Sequence, residues 1–396
     1  MRSLQIVMLA PFGIRPKSTL SLRMLPLAQA LVRQGHAVSI VAPPVHNPED
    51  ARTRILYDQV PVIHTSSPSL PGAASVFQQV NLLIQAALAE QPDIIHLFKP
   101  KGYSGLAALL LSASHPKIPL VVDTDDWEGW GGWNDLLPYP AAAKWLFAWQ
   151  EHDLPRRATA VTVASRTLQT QVWGSGVAPE RVIYIPNGII PDNNVEAQSR
   201  DTQKQSHYTL LLYTRFWEFD VRYIVMVLIA LATHRSDVRL HIVGKGERGE
   251  EQELLRLVDQ AGLSHMVHYF GWVEPEQIPE HFAMADIALF PLEDQLITRA
   301  KCSAKLLELM AAGLPIIAGR VGQAAEYIEH NISGILVEPD DPAFMAQAIL
   351  QLLDDSSLRT QLGAGACKRI QQFHWDLLGQ DIGQLYLSIL QTNYSS

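Results

Sequence analysis

The sequence predicts an α/β protein made of two doubly wound domains in series. Three observations carry this. Short apolar runs alternate with amphipathic helical stretches along nearly the whole chain, the pattern of a mostly parallel sheet covered on both faces. The alternation breaks once, at a polar segment over residues 191–207, and then restarts. The chain has 396 residues, 47% of them apolar and 18% charged, enough for two full hydrophobic cores.

In the first domain, residues 1–190, the run 4–10, apolar except for Gln5, and the strand-like runs 38–42, 60–63, 94–98, 120–123 and 160–164 read as strands. A helix with Leu22, Leu25, Leu31 and Val32 on one side follows the first strand and stops at Gly35. Further helical patterns occupy 76–89 and 141–152. Trp145 and Trp149, four residues apart, read as the core face of the latter. Residues 191–207, rich in Asn, Gln, Ser and Asp, form the linker. The second domain, 208–375, is expected to place strands at 208–213, 238–243, 267–270, 287–291, 315–318 and 334–337, with helices at 250–261 and 303–312 among them. The tail, 376–396, reads as a helix with Leu378, Ile382, Leu385 and Ile389 on a face, expected to pack back on the N-terminal domain.

Composition excludes several classes. A net charge of −9 with ordinary hydropathy is not that of a disordered chain. Cys302 and Cys367 are too few for a disulfide scaffold and lack metal-ligand spacing. The first apolar run stops at Pro11 after about seven residues, against roughly 20 for a membrane span, so the expected location is cytoplasmic. Residues 1–190 carry a charge of +2 and the remainder −11. Neither half has the clustered basic surface of a nucleic-acid binder.

Ligands in open parallel sheets bind beyond the carboxyl ends of the strands, so the loops there are the places to search. The loop 11–18 combines Gly13 with Arg15 and Lys17 and suits a phosphate as well as an ordinary turn. Residues 244–249, Gly-Lys-Gly-Glu-Arg-Gly, satisfy the dinucleotide fingerprint. They follow the second strand of their domain, however, and lead into an acidic helix start that competes with a pyrophosphate. Arg215 directly follows strand 208–213 and suits either a phosphate or an ion pair. Ser303 fits the N-cap of a helix that Gly313 ends. Lys305 in its first turn is disfavoured by the helix dipole unless an anion binds there. Glu308 is a lone carboxylate among Leu306, Leu307, Leu309 and Met310, which suggests a polar ligand. Finally, Asp123, Asp125, Asp126 and Glu128 cluster after strand 120–123 amid Trp127, Trp130 and Trp133. This group suits a divalent metal or a base that takes a proton from a hydroxyl.

Taken together, these segments resemble glycosyltransferase family 4, retaining enzymes of the GT-B architecture. The resemblance runs through Gly35-His36-Ala37-Val38, Asp93-Ile94-Ile95-His96 and Pro186-Asn187-Gly188-Ile189. It continues through Ile242-Val243-Gly244-Lys245-Gly246, Phe270-Gly271-Trp272-Val273 and Ala285-Asp286-Ile287. It closes with Leu307-Glu308-Leu309-Met310-Ala311-Ala312-Gly313-Leu314-Pro315 and Ser333-Gly334-Ile335-Leu336-Val337. It implies two Rossmann-like domains facing a cleft, with a nucleotide diphosphate sugar held mainly by the second domain and the acceptor by the first. Neither cofactor nor metal is implied, since the nucleotide sugar is a substrate. Glu308 matches the second glutamate of the family's E-x7-E motif, expected on the ribose hydroxyls. Arg215 matches the arginine on the donor diphosphate, and Gly13 the glycine loop opposite it. Gly244, Val273, Lys301 and Ser303 complete the expected donor-binding set. Three positions depart from the family: Ala300 stands for the first glutamate, Asp220 for a lysine, and Asp125 or Asp126 for a histidine. Lys305, Lys301 and Arg222 are candidate replacements for the missing cation.

The expected reaction is hexosyl transfer, with retention, from a nucleotide diphosphate donor to a hydroxyl of a saccharide, a lipid-linked sugar or a small molecule. Arg215 and Lys305 would stabilise charge on the departing phosphate, and Asp125 or Asp126 would orient or deprotonate the acceptor. The absence of a spanning segment leaves room for peripheral membrane contact, and no nucleic acid is expected. The rival expectations are a nucleotide-sugar epimerase of the same architecture, an NAD-dependent oxidoreductase using 244–249, and a catalytically inactive nucleotide-sugar-binding homologue, favoured by Ala300 and Asp220.

Overall fold

The computed structural model describes residues 3–15, 19–190 and 207–395. The expected linker therefore lies outside the described residues, except for His207, as do Pro16, Lys17 and Ser18. The chain divides into two compact units. One comprises residues 1–190 together with 300–302 and 373–396; the other comprises 191–299 and 303–372.

The first unit is built on an eight-stranded sheet. Its strands are β1 (Gln5–Leu9), β2 (Ala37–Ala42), β3 (Arg54–Tyr57), β4 (Val60–His64), β5 (Ile94–Phe98), β6 (Leu120–Thr124), β7 (Ala160–Val163) and β8 (Val182–Tyr184). Their spatial order is β3-β4-β2-β1-β5-β6-β7-β8. All neighbours pair in parallel except β3 and β4. The central strands are buried on both faces, which is why they read as mostly apolar runs, with Gln5, His96, Asp123 and Thr124 as the polar exceptions. β3 and β8 are absent from the sequence reading: β3 is an exposed edge strand with no apolar face inward, and β8 is three residues long.

A π-helical turn, Leu20–Met24, runs into α1 (Leu25–Arg33). The buried face consists of Leu20, Met24, Leu27, Ala28 and Leu31, so Leu22, Leu25 and Val32 are only half-buried, against the expected stripe. The π-turn shifts the register of the first turn and rotates Leu22 outward. The remaining helices are α2 (Ala73–Ala89), α3 (Gly102–Ser114), α4 (Trp133–Leu136), α5 (Ala141–Arg157) and α6 (Arg166–Gly174). The expected core role of Trp145 is not met, for its side chain is 61% exposed. α5 turns a more polar face inward: Gln150 bonds both backbone groups of Gly102, and Leu154 is fully buried. The C-terminal helix, Trp375–Ser395, packs against α1, with Trp375, Ile382 and Tyr386 buried in the same core as Leu27 and Leu31. Gly379 permits this approach, since a Cβ there would lie 2.9 Å from that of Ala30.

The second unit holds a six-stranded, wholly parallel sheet of β9 (Tyr208–Tyr213), β10 (Val238–Val243), β11 (Val267–Gly271), β12 (Ile287–Phe290), β13 (Ile316–Gly319) and β14 (Ile335–Val337). The order is β11-β10-β9-β12-β13-β14. Around it lie α7 (Val221–Ala232), α8 (Glu250–Gln260), α9 (Ile278–Met284), α10 (Leu296–Ala300), α11 (Ala304–Ala311), α12 (Ala324–Tyr327), α13 (Pro342–Asp354) and α14 (Ser356–Ile370). Leu210, Leu212, Ile224, Leu228, Leu240, Ile242 and Ile349 form the centre of its core. Among the described residues, no helix is long and apolar enough to cross a membrane.

Candidate active site

In the second unit, three neighbouring strands, β11, β10 and β9, end side by side, and their loops carry Val273, Gly244 and Arg215. Gly244 donates its N–H to Gly271 O at 2.7 Å, and Thr214 N donates to Val243 O at 3.0 Å, so the three loops are tied together by backbone bonds. Gly244 has φ +129°, and a Cβ there would lie 1.8 Å from Thr214 O. Only glycine fits this crossing. Arg215 stands exposed beside Trp217, its guanidinium 5.9 Å from the ring centroid. Val273 is half-buried just past β11, next to the exposed Trp272.

α11 supplies the charged groups. Its apolar residues Leu306, Leu307, Leu309 and Met310 are buried, which fixes the helix and leaves Lys305 and Glu308 half-buried on the other side. Ser303 occupies the N-cap position, but its side chain makes no capping bond, against expectation. Tyr213, the last residue of β9, joins these two groups. The Lys305 ammonium lies 3.3 Å from the centroid of the Tyr213 ring, a cation–π contact. The Tyr213 hydroxyl is hydrogen-bonded to Glu308; burial, together with that carboxylate, holds the phenol well above its ordinary range. A small pocket lies here, with Tyr213, Thr214, Glu218 and Lys305 in its lining. Asp220, at the position where a lysine was expected, caps α7 and is ion-paired with Arg222, which lowers its carboxyl.

The glycine-rich loop 244–249 does not present its backbone to a pyrophosphate. Gly246 N donates to Glu251 Oε2 at 3.0 Å, and Arg248 N to Glu250 Oε2 at 2.8 Å. The helix's own carboxylates occupy the anion position that a dinucleotide would need. This removes the basis for the NAD reading.

The first unit gathers the acidic residues after β6. Asp123 is fully buried and bridged twice by Arg23, Nε to Oδ1 at 2.8 Å and Nη2 to Oδ2 at 2.6 Å. Lys99, at the end of β5, contacts Asp125 at 3.5 Å, Asp126 at 2.7 Å and Glu128 at 2.8 Å. Lys101 binds Glu128 at 2.7 Å and Asn134 at 2.6 Å, inside a cage of Phe12, Tyr139 and Phe147 rings. Burial opposes ionisation of Glu128, yet Lys99 and Lys101 hold it down at about 2. Asp125 is different. Burial, reinforced by Asp126 and Asp123 and opposed by Lys99 and Arg23, pushes its carboxyl up to about 6, and Thr19 donates to it at 2.8 Å. The cluster that suited a metal is thus matched with three buried cations. Among the described residues, no group of three or more His, Cys, Asp or Glu side chains could hold a metal ion.

Other candidates are spread more widely. Gly13 is buried against His64, whose Nε2 accepts from Ile14 N at 3.4 Å. Arg15, a cation of that loop, is engaged by Asp50 at 2.6 Å. Lys301 groups with the first unit, its ammonium 5.6 Å from the Trp133 ring, whereas Ser303 and Lys305 belong to the second. Ala300 is fully buried, with its carbonyl accepting from Ser165 Oγ at 2.8 Å.

Both halves of the sequence match known protein families. Residues 19–188 match the glycosyl transferase 4-like domain, and residues 208–355 match the glycosyl transferases group 1. The chain belongs to the family 4 glycosyltransferases. Two Rossmann-like domains in series are the GT-B architecture of this family. Among glycosyltransferase relatives, the D-inositol 3-phosphate glycosyltransferase of Acidothermus cellulolyticus is 30% identical over 251 residues, 58% of this chain and 55% of that protein. The match thus spans little more than half the length of that relative. The phosphatidyl-myo-inositol mannosyltransferase of Mycolicibacterium smegmatis is 24% identical over 395 residues, 98% of this chain and 94% of that one. Among solved structures, Anabaena HepE in complex with UDP superposes with a TM-score of 0.69 at 19% identity, covering 97% of this chain and 100% of that one. The same protein is also solved with UDP-glucose.

For a family 4 glycosyltransferase, the structure adds residues that the sequence did not single out. Tyr213 reads as the apolar end of a strand, and its polar contact appears only when α11 is packed. Arg23 finds its partner, Asp123, 100 residues along the chain. Lys99 and Lys101 leave one signal, two lysines bracketing Pro100 directly after a mostly apolar strand.

Proposed function

We propose that this chain is a retaining glycosyltransferase that moves a hexose from a nucleotide diphosphate to a hydroxyl of an inositol-type acceptor. The observation that carries the donor half is the Lys305–Tyr213–Glu308 arrangement beside the loop of Arg215. It sets one carboxylate, suited to a pair of ribose hydroxyls, beside cations suited to a diphosphate. UDP and UDP-glucose, bound by HepE, are the first donors to try. The two relatives named for inositol compounds point to a cyclitol hydroxyl, free or lipid-linked, as acceptor. Gly13, Gly244, Val273, Lys301 and Ser303 remain candidates for donor contact.

The reaction breaks the bond between the anomeric carbon and the terminal phosphate oxygen. Negative charge builds on that oxygen, and Arg215 and Lys305 are assigned to stabilise it. Losing one such group typically costs about 10²–10³ in rate. Asp125 and Asp126 are assigned to the acceptor hydroxyl. With its carboxyl raised to about 6, Asp125 is ionised at neutral pH and still basic enough to take a proton.

One observation favours a second reading. Ala300 puts no carboxylate at the first position of E-x7-E, and Asp220 is already paired with Arg222, so the chain would bind nucleotide sugar without turning it over. The test is product formation from UDP-, GDP- and ADP-hexoses with inositol, inositol phosphate and phosphatidylinositol. The proposal predicts a glycosylated acceptor with the donor's anomeric configuration, and a fall of 10²-fold or more for Arg215→Ala, on the order expected for losing one such group. A donor that binds, with no product from any acceptor, selects the second reading. A product of inverted configuration refutes retention.

A further inference from the structure

We infer that Tyr213 is a positioning residue that fixes the Glu308 carboxylate for the ribose hydroxyls and holds Lys305 beside it. This rests on the assignment of Glu308 to the donor ribose. Tyr213 is the last residue of β9, where its backbone is paired with Val243 of β10, so its ring starts from a rigid support. The side chain is 8% exposed and held on two sides. The ring of Phe282 stands edge-on with centroids 5.6 Å apart, and the Lys305 ammonium lies over the ring at 3.3 Å.

The hydroxyl meets Glu308, which sits one helical turn beyond Lys305 on α11. A glutamate on a helix has three rotatable bonds, and burial of its apolar neighbours fixes the helix but not the carboxylate. The hydrogen bond from the rigid phenol constrains that carboxylate. One aromatic residue therefore orients two charged groups of opposite sign, each assigned to a different part of the donor. A carboxylate so held distinguishes ribose from deoxyribose, because removing a ribose hydroxyl leaves part of its hydrogen-bonding capacity unmatched.

The test is calorimetric binding of UDP, GDP and ADP, each against its 2′-deoxy counterpart, to the wild type and to Tyr213→Phe, which removes one oxygen and keeps the ring under Lys305. The wild type is expected to prefer the ribonucleotide, and Tyr213→Phe to lose about tenfold of that preference, the usual scale for one hydrogen bond to a charged group. The ratio of two ligands on one protein cancels a general loss of stability. A purely structural role would lower both affinities together. In a Glu308→Ala background, Tyr213→Phe should change nothing further. If the wild type prefers the ribonucleotide and Tyr213→Phe prefers it equally, the inference is overturned while the donor assignment stands. If the wild type shows no preference, or Glu308→Ala keeps it, the donor assignment fails and the inference with it.

Discussion

Replacing Arg23 with methionine keeps an apolar stem of similar length and removes the guanidinium from the centre of the first unit. The cost follows from what is left behind. Arg23 and Asp123 are each 1% exposed and joined by two short bonds, and the same guanidinium also bonds Ile185 O at 2.8 Å and Asn187 Oδ1 at 3.1 Å. Without it, Asp123 is a buried carboxylate whose remaining side-chain partner among the described residues is the Thr162 hydroxyl at 2.5 Å. Breaking one side of a buried ion pair typically costs about 3–5 kcal/mol, a large share of the roughly 5–15 kcal/mol that holds a domain folded. The assay is urea unfolding followed by tryptophan fluorescence, with Trp375 as a local reporter, its ring 6.0 Å from the Arg23 guanidinium. Arg23→Met should lose at least about 3 kcal/mol, and Arg23→Met with Asp123→Asn should lose less than Arg23→Met alone, because the orphaned charge is gone. A single variant within about 1 kcal/mol of wild type, or a double variant worse than the single, refutes the reasoning.

Three other predictions concern the same two units. Glu151 accepts from Glu128 N at 2.7 Å, and burial pushes its carboxyl up to about 8, so the folded state holds a proton that the unfolded state has released above about 4.5. Stability therefore falls as pH rises through that window, by at most about 1.4 kcal/mol per unit. Glu151→Gln should flatten this slope between pH 6 and 8 in urea titrations, and parallel profiles would refute it. Gly244→Ala combines a left-handed backbone with a Cβ 1.8 Å from Thr214 O, and should lower the melting midpoint of the second unit by several degrees; an unchanged midpoint would mean that the loops part readily. If Asp125 takes the acceptor proton, kcat should rise through about pH 6 as its carboxylate forms. Asp125→Asn should abolish that limb, and a variant that retains it removes Asp125 from the chemistry.

The parallel strands were legible because both faces are covered, so Leu210–Leu212 is apolar throughout and Ile94–Phe98 is apolar except for His96. β3 was not legible, since an exposed edge strand carries no such pattern. Nor was the inward face of α5, where Gln150 and Phe147 meet polar partners and Trp145 stays outside. In the candidate site, Glu308 and Lys305 stood out as charges out of place on an otherwise apolar or dipole-opposed helix. Tyr213, Arg23 and Glu151 did not, because each is unremarkable in its own segment and acquires its role from a partner far along the chain. Electrostatic pairing is a tertiary property. The acidic residues after β6 were legible as a cluster, but the compensating cations, Arg23, Lys99 and Lys101, come from other elements.

The second unit is proposed to hold a nucleotide diphosphate through Glu308. The most direct measurement is a calorimetric titration of UDP, GDP and ADP into the wild type and Glu308→Ala, with melting midpoints recorded to show that both are folded. At least one nucleotide should bind the wild type, and that nucleotide should bind Glu308→Ala at least about tenfold more weakly, the scale of one lost charged hydrogen bond. Equal affinity in the two proteins would contradict the account.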